Sequence, residues 1–445
     1  MTAEPPPLRL LYLAFYFPPS RASGVYRARA TANYFAEAGW DVTVARVPQW
    51  FLTDVVGSTD DGLLDTVDPR IATVSPALDD FMWETDVRAF GSFRGNFPFL
   101  AARWHKWLQR FKFPDRYASW GESAVAEGLR LHAERPFDLI VATGNPFSAF
   151  GAAYELGRRT GLPYIVDYRD SWTLDLFTNE DAFPKGDKAW RWEKRILENA
   201  AEALFVNEAL REWHAARYPR AAERMHVMLN GWDPDVLPRI PESTADESRP
   251  LSYAYIGTLT ANQPVDALFA GFRAMAGAGS HPGSTLDLYG HLGFFAKYES
   301  RMRADIGLDD EAEDRVRHHG PVSKAEIGDA YAASDVLVFL VGGSKYVTSG
   351  KIFEYMATGK PIVSVHEPGS AAEELLRDYP LWFNPGSLDP GAVAAAMAEA
   401  GDAARKADPD LAERAREYGA GFTRYRAIEA FERRARAIAQ NGGER

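Results

Sequence analysis

Runs that are apolar at nearly every position alternate in this chain with longer stretches of helical periodicity, and the alternation occurs in two successive regions. Leu8 to Phe17 is the first such run. A turn follows, then a helix-like stretch from Tyr26 to Ala38 that Gly39 ends, then a strand-like run from Asp41 to Val47. A strand that is apolar on both faces is one covered by helices on both faces. The order repeats through Phe137 to Ala142, Phe147 to Arg159 and Pro163 to Val166, which predicts a doubly wound parallel sheet.

Pro238 to Pro250 is polar, with three prolines and three acidic residues, and it reads as a linker. Beyond it Ser252 to Ile256, Leu286 to Tyr289, Val316 to His319, Val336 to Leu340 and Pro361 to Val365 have strand character, so a second α/β domain is expected. At 445 residues the chain exceeds what one core usually serves, roughly 250 to 300 residues. The boundaries predicted are residues 1–240 and 241–417, with a helix at about 418–440 completing the first domain. Gln49 to Trp120 has weak periodicity and should hide short helices or an inserted subdomain.

A net charge of -12 excludes general binding to nucleic acid, which needs a cationic surface. With no cysteine, thiolate metal sites and cysteine nucleophiles are excluded too. The nine histidines have no metal-type spacing, and adjacent His318 and His319 would point to opposite faces of a strand, so no metal is expected. No apolar run approaches the ~20 residues that span a bilayer, and MTAEPPPLRL lacks a signal-peptide pattern, so a cytoplasmic protein is expected.

Ligands of open parallel sheets sit at the carboxyl ends of strands, and three turns there carry polar chemistry. After the first strand, FPPSRASGVYRAR places Gly24 before a helix start, with Arg27 and Arg29 close by; a plain strand-to-helix turn fits equally. After Val166, DYRDSW gathers Asp167, Arg169, Asp170 and Trp172. Such a group suits sugar recognition, and it equally suits an internal ion pair holding a loop.

The third turn is GGSKYVTSGKIFEYMATGKPIV, Gly342 to Val363. Thr348 or Ser349 is the expected N-cap of a helix from Lys351 to Thr358, which Gly359 and Pro361 stop. Lys351 in a first turn opposes the helix dipole, a conflict that a diphosphate held by the free N–H groups, the Thr348 and Ser349 hydroxyls and Lys351 would remove. Glu354, one turn on, can accept hydrogen bonds from a diol such as ribose. An ordinary helix with Lys351 and Glu354 solvated is the alternative.

The run SGKIFEYMATGKPIV is similar to the donor-site signature of family 4 retaining glycosyltransferases of the GT-B fold. FYFPPSRASGVYRARATANYFAEAGWDVTV, FPDRYASW, DLIVATGNPFSAFGAA, YIVDYRDSW, AEALFVNEAL, VMLNGWDPD, SYAYIGTL and VRHHGPVSKAEIGDAYAASDVLV agree in order and spacing, over nearly the whole chain. The resemblance implies two Rossmann-like domains facing a cleft, with the C-terminal helix crossing back onto the first.

It further implies a nucleotide-sugar donor held by Gly24, Gly257, Thr258, Thr348, Ser349, Gly350, Lys351 and Glu354, the last on the ribose. Arg27, Asn145 and Trp172 fall to the acceptor. Lys351 with the Gly24 loop would stabilise the leaving diphosphate, and Asp170 with Arg169 would orient the sugar or acceptor. Transfer of this kind is front-face, with the leaving diphosphate helping to take the acceptor proton, so no carboxylate pair, cofactor or metal is required. Two departures stand out. Tyr346 replaces the first glutamate of the family's Glu, seven residues, Glu pattern. Thr258, Leu259, Thr260, Ala261, Asn262 and Gln263 occupy the segment where the family often has an Arg and a Lys.

The acceptor is open among a glycan, a lipid-linked sugar and a small molecule. Phe90 to Phe113 has five basic residues, Arg94, Arg103, Lys106, Arg110 and Lys112, and no acidic one. Trp104, Trp107, Leu108 and Phe111 share one helical face, which reads as a helix packed on the core. A surface touching anionic lipid is the second reading. Besides glycosyl transfer, a nucleotide-sugar epimerase on the same fold and a binding protein with a degenerate site remain as alternatives.

Overall fold

The structure is a computed structural model describing residues 6–442 apart from 80, 82, 84–91, 110–112, 177, 238–248, 294–298, 300–302, 304–314, 323–325, 343 and 344. Most of the expected linker lies outside the described residues. The chain divides into two compact units. One comprises Met1–Leu174, Asp181–Met228 and Ile428–Arg445; the other Asp175–Glu180 and Leu229–Ala427.

The first unit is built on a seven-stranded sheet in the order β3-β2-β1-β4-β5-β6-β7, with every pairing parallel. The strands are β1 (Arg9–Leu13), β2 (Asp41–Ala45), β3 (Ala72–Val74), β4 (Leu139–Gly144), β5 (Tyr164–Tyr168), β6 (Glu202–Phe205) and β7 (Met225–Val227). Strands β4 and β5 are buried at every residue, as their uninterrupted apolar character requires. The poorly periodic segment after β2 resolves into a π turn at Phe51–Val56, a 3-10 turn at Asp61–Thr66, β3 and short helices at Ser92–Asn96 and Pro98–Gln109.

From Ile428 onward the last helix, Arg424–Gly442, belongs to this unit. There Phe431 packs on Phe35 (5.3 Å between ring centroids), Glu432 accepts from Trp40 Nε1 (2.7 Å), and Arg434 pairs with buried Glu202 (2.8 Å). The single helix expected from Tyr418 to Gln440 is two. Pro409–Ala420 ends, and residues 421–423 turn before Arg424 because the backbone of Trp232 takes Phe422 O and Arg424 N as partners, 3.0 and 2.8 Å.

The second unit has a six-stranded sheet, order β10-β9-β8-β11-β12-β13, again parallel throughout. Its strands are β8 (Ser252–Ile256), β9 (Thr285–Tyr289), β10 (Val316–Gly320), β11 (Val336–Leu340), β12 (Ile362–Val365) and β13 (Trp382–Phe383). Alternation along β11 shows why both faces must be apolar. Val336, Val338 and Leu340 enter one core with Leu268, Phe272 and Met397, while Leu337 and Phe339 enter the other with Phe353 and Met356.

In each sheet the strand order reverses beside its first strand, between β1 and β4 and between β8 and β11. Loops leaving adjacent strands diverge there, and the crevice they open at the carboxyl edge is where such sheets take ligands.

Candidate active site

All three turns singled out in the sequence fall at these carboxyl edges. In the first unit Gly24 precedes the helix Val25–Glu37, Asn145 follows β4 and Arg169 follows β5. A Cβ on Gly24 would fall on the guanidinium of Arg169, so this glycine serves close approach, its φ of -73° being ordinary. Arg169 Nε donates to the carbonyl of Gly144 (2.5 Å) and Nη2 to that of Asn145 (2.8 Å). One guanidinium thus ties the loops after β1, β4 and β5 together. Asp170, next in the chain, and Asn145 are exposed.

Two residues expected at the acceptor, Arg27 and Trp172, are buried. Arg27 is buried, and its Nε and Nη2 donate to both oxygens of Asp167 (2.9 and 2.6 Å) while Nη1 donates to Met228 O (2.7 Å). Of the two readings of the DYRDSW group, the internal ion pair therefore holds for Asp167, and Arg27 offers no cation to a ligand. Nearby Arg29 is buried too and donates to Thr66 O (2.7 Å). Trp172 is also buried, stacked on Phe147 (5.4 Å, 9°) and packed on Phe113 (5.4 Å). Rather than an exposed platform, it forms part of the wall of a 260 Å³ pocket with Phe113, Ser148 and Trp192.

In the second unit Gly257 follows β8 and the helix Lys351–Ala357 follows β11. Gly257 has φ +149°, a conformation open to glycine, and a Cβ there would fall on Lys351 Nζ. The Lys351 ammonium lies 5.2 Å from the centroid of the Tyr255 ring. Gly290, after β9, has φ +143° and room only for hydrogen beside the Gly257 carbonyl; Gly342, after β11, is crowded in the same way by Asn262 O. Three strand ends therefore meet backbone to backbone, with the Lys351 ammonium beside Gly257 at their junction.

The helix start differs from expectation. Its N-cap is Gly350, with no side-chain cap, and the helix stops at Ala357. Ser349 Oγ instead accepts from Lys351 N at 3.4 Å, and Thr348 O accepts from Asn230 Nδ2 at 3.2 Å. Thr258, Thr348, Ser349, Gly350 and Lys351 are all partly exposed. Glu354 is buried to 9% exposure, where its carboxylate accepts from Tyr331 OH (2.8 Å). Burial, and after it the charge of Glu354, hold the Tyr331 phenol well above its ordinary range, so it stays a donor.

Two residues hold the site in ways that the sequence did not signal. Gln263 Nε2 donates to Leu340 O (3.1 Å) and to Tyr255 OH (3.0 Å), its Oε1 accepts from Thr260 N (2.8 Å), and it so fastens the loop after β8 to the end of β11. Tyr331 lies 23 residues before the glutamate that it holds. A cavity of 590 Å³ bounded by Asp335, Lys360, Glu399, Asp402 and Arg416 lies at the amino ends of β11 and β12, the edge away from this site.

Two parallel α/β sheets, each with a glycine and a cation at its switch point, define a protein of the GT-B glycosyltransferase fold. Residues 24–231 match the glycosyl transferase 4-like domain and residues 251–402 the glycosyl transferases group 1 domain. The chain thus belongs to the GT4-like glycosyltransferases. Among solved structures it is similar to a glycosyltransferase from Rickettsia africae (11% identity, 98% of this chain and 99% of that one, TM-score 0.69). It is also similar to a sucrose-phosphate synthase from Thermosynechococcus elongatus (15%, 97% and 99%, TM-score 0.66). A third is Anabaena HepE in complex with UDP and glucose (15%, 97% and 100%, TM-score 0.61). At these identities the likeness is one of fold. No curated protein matches the sequence.

Proposed function

We propose that the chain transfers a sugar from a nucleotide-diphosphate sugar to an acceptor hydroxyl with retention of anomeric configuration. The observation that carries the reading is the Lys351 ammonium held in the space that Gly257 leaves, at the switch point of the second sheet. A cation held there beside the partly exposed residues Thr348, Ser349 and Gly350 suits the diphosphate of a donor. Glu354, oriented by Tyr331, would take the ribose hydroxyls. UDP is the first nucleotide to test, because HepE, of similar fold, was solved with UDP and with UDP-glucose.

Transfer breaks the bond from the anomeric carbon to the diphosphate and forms one to the acceptor oxygen on the same face. The acceptor proton passes to the departing phosphate oxygen. Lys351 stabilises the charge arriving there, and this demands no metal. In the first unit Arg169 and exposed Asp170 orient the transferring sugar or its acceptor beside the Gly24 turn. The acceptor class is a glycan, a lipid-linked sugar or a small molecule.

Thermal shift against UDP, GDP, dTDP and ADP, followed by turnover with the matching sugar nucleotides, tests the proposal. One nucleotide should raise the melting temperature, and Glu354→Ala should weaken its binding about tenfold or more, the scale of a lost charged hydrogen bond. Release of an altered sugar without acceptor would reassign the chain as an epimerase. Binding without turnover would make it a binding protein, and no binding to any sugar nucleotide would remove the proposal.

A further inference from the structure

The helix Pro98–Gln109 is built the wrong way round for a helix of a soluble domain. Leu100, Trp104 and Trp107 recur at intervals of four and three residues and share a stripe with Phe99 and Arg103. That stripe faces outward: Phe99 is 76% exposed, Trp104 56%, Leu100 54% and Trp107 46%, with Phe97 just before it at 55%. Among the described residues of the helix Ala101 is the buried one, and it lies off the stripe. The two tryptophan rings lie 5.0 Å apart. Of the two readings of this segment, packing of the tryptophan face on the core is therefore overturned; Leu108 and Phe111, which shared that reading, lie outside the described side chains.

We infer that this stripe is an interfacial anchor for an anionic lipid surface, a property beyond the proposed transfer reaction. Trp and Phe suit the level of lipid headgroups, where an apolar ring body and a polar edge are both accommodated. Among the described residues no helix is long and apolar enough to cross a membrane, so the helix lies in the interface plane. Charge selects the lipid. Phe90 to Phe113 carries five basic and no acidic residues within a chain of net charge -12, and Arg103 is exposed on the stripe itself. The rest of the molecule is repelled by an anionic bilayer while this segment is drawn to it, which fixes one docking orientation. A second copy is a poor occupant, since a two-fold contact sets the same patch against itself and would oppose Arg103 to its own copy.

The test is flotation of the full chain with vesicles of phosphatidylcholine containing about 30% phosphatidylglycerol, and with phosphatidylcholine alone. The expected result is binding to the anionic vesicles that weakens with salt. Replacing Phe99, Trp104 and Trp107 together by Ser should reduce it about tenfold or more, and Arg103→Glu alone several-fold. Because these side chains are exposed, the variants should melt as the parent does, and the single Trp104→Ser change serves if the triple variant does not. Absence of binding at low salt overturns the inference, as does undiminished binding by the triple or single aromatic variants. So would a dimer in light scattering that these substitutions convert to monomer, for the stripe would then be an interface between copies.

Discussion

Lys351 Nζ occupies the position that a side-chain carbon on Gly257 would take, so the cation at the second sheet's switch point exists only because its neighbour is glycine. The relationship is directly testable. Gly257→Ala forces the ammonium away and places alanine at φ +149°, which should cost roughly 1 to 3 kcal/mol of stability. Affinity for the nucleoside diphosphate should fall about tenfold, as in Lys351→Ala, by loss of a charged contact. The double variant should bind little worse than either single one, because both remove the same cation. Calorimetric titration decides it; additive losses would show that Gly257 acts independently of Lys351.

The first unit repeats the device with Gly24 and Arg169. Gly24 has φ -73°, so alanine fits the backbone there, and the collision with the guanidinium is what matters. Gly24→Ala should pull Arg169 from the carbonyls of Gly144 and Asn145 and lower turnover by roughly ten- to a hundredfold through lost positioning. Nucleoside diphosphate affinity should hold, since those groups belong to the other unit. In an Arg169→Ala background the Gly24 change should add little. Steady-state kinetics beside binding measurements checks both statements, and a large further loss in the double variant would refute the coupling.

How far the sequence carries can be judged from these same residues. Ser252–Ile256 and Val336–Leu340 are read from sequence to the residue, because a strand buried on both faces leaves an unbroken apolar run. Strands β3, of three residues and partly exposed, and β13, of two, are too short to leave a pattern. At the site, local order identified Gly24, Arg169, Gly257 and Lys351 as residue types at strand ends. Which partner each meets was not legible, since Gly24 meets Arg169, and Arg27 meets Asp167, across the span of three strands. The inverted helix at Pro98–Gln109 was legible as an amphipathic stripe, but periodicity does not say which face looks inward.

Arg27 separates a structural role from a binding one. Arg27→Met leaves the Asp167 carboxylate buried without its cation, which should cost about 3 to 5 kcal/mol, while donor affinity of the folded fraction is unchanged. Urea denaturation should show the loss. If stability were intact and the apparent acceptor affinity fell instead, the expectation of a binding role drawn from the sequence would be restored.

Lys360 gives the chain a pH signature independent of catalysis. It is 5% exposed, its ammonium donating to the carbonyls of Ala332 (3.2 Å) and Ser334. Burial lowers its pKa from 10.5 to about 8, with Asp335 opposing and Arg249 assisting the shift. Between those values the unfolded chain keeps a proton that the folded chain has released, so Lys360 contributes least stability below pH 8 and progressively more as pH rises toward 10.5. Relative to Lys360→Met the parent should gain stability across this window, with a slope of at most about 1.4 kcal/mol per pH unit. Tyrosines titrate alike in both proteins and cancel in the difference, and the carbonyls left without the ammonium add only a constant offset. Urea melts of the pair at several pH values across the window measure that slope, and a flat difference would show that Lys360 keeps an ordinary lysine pKa in the folded chain.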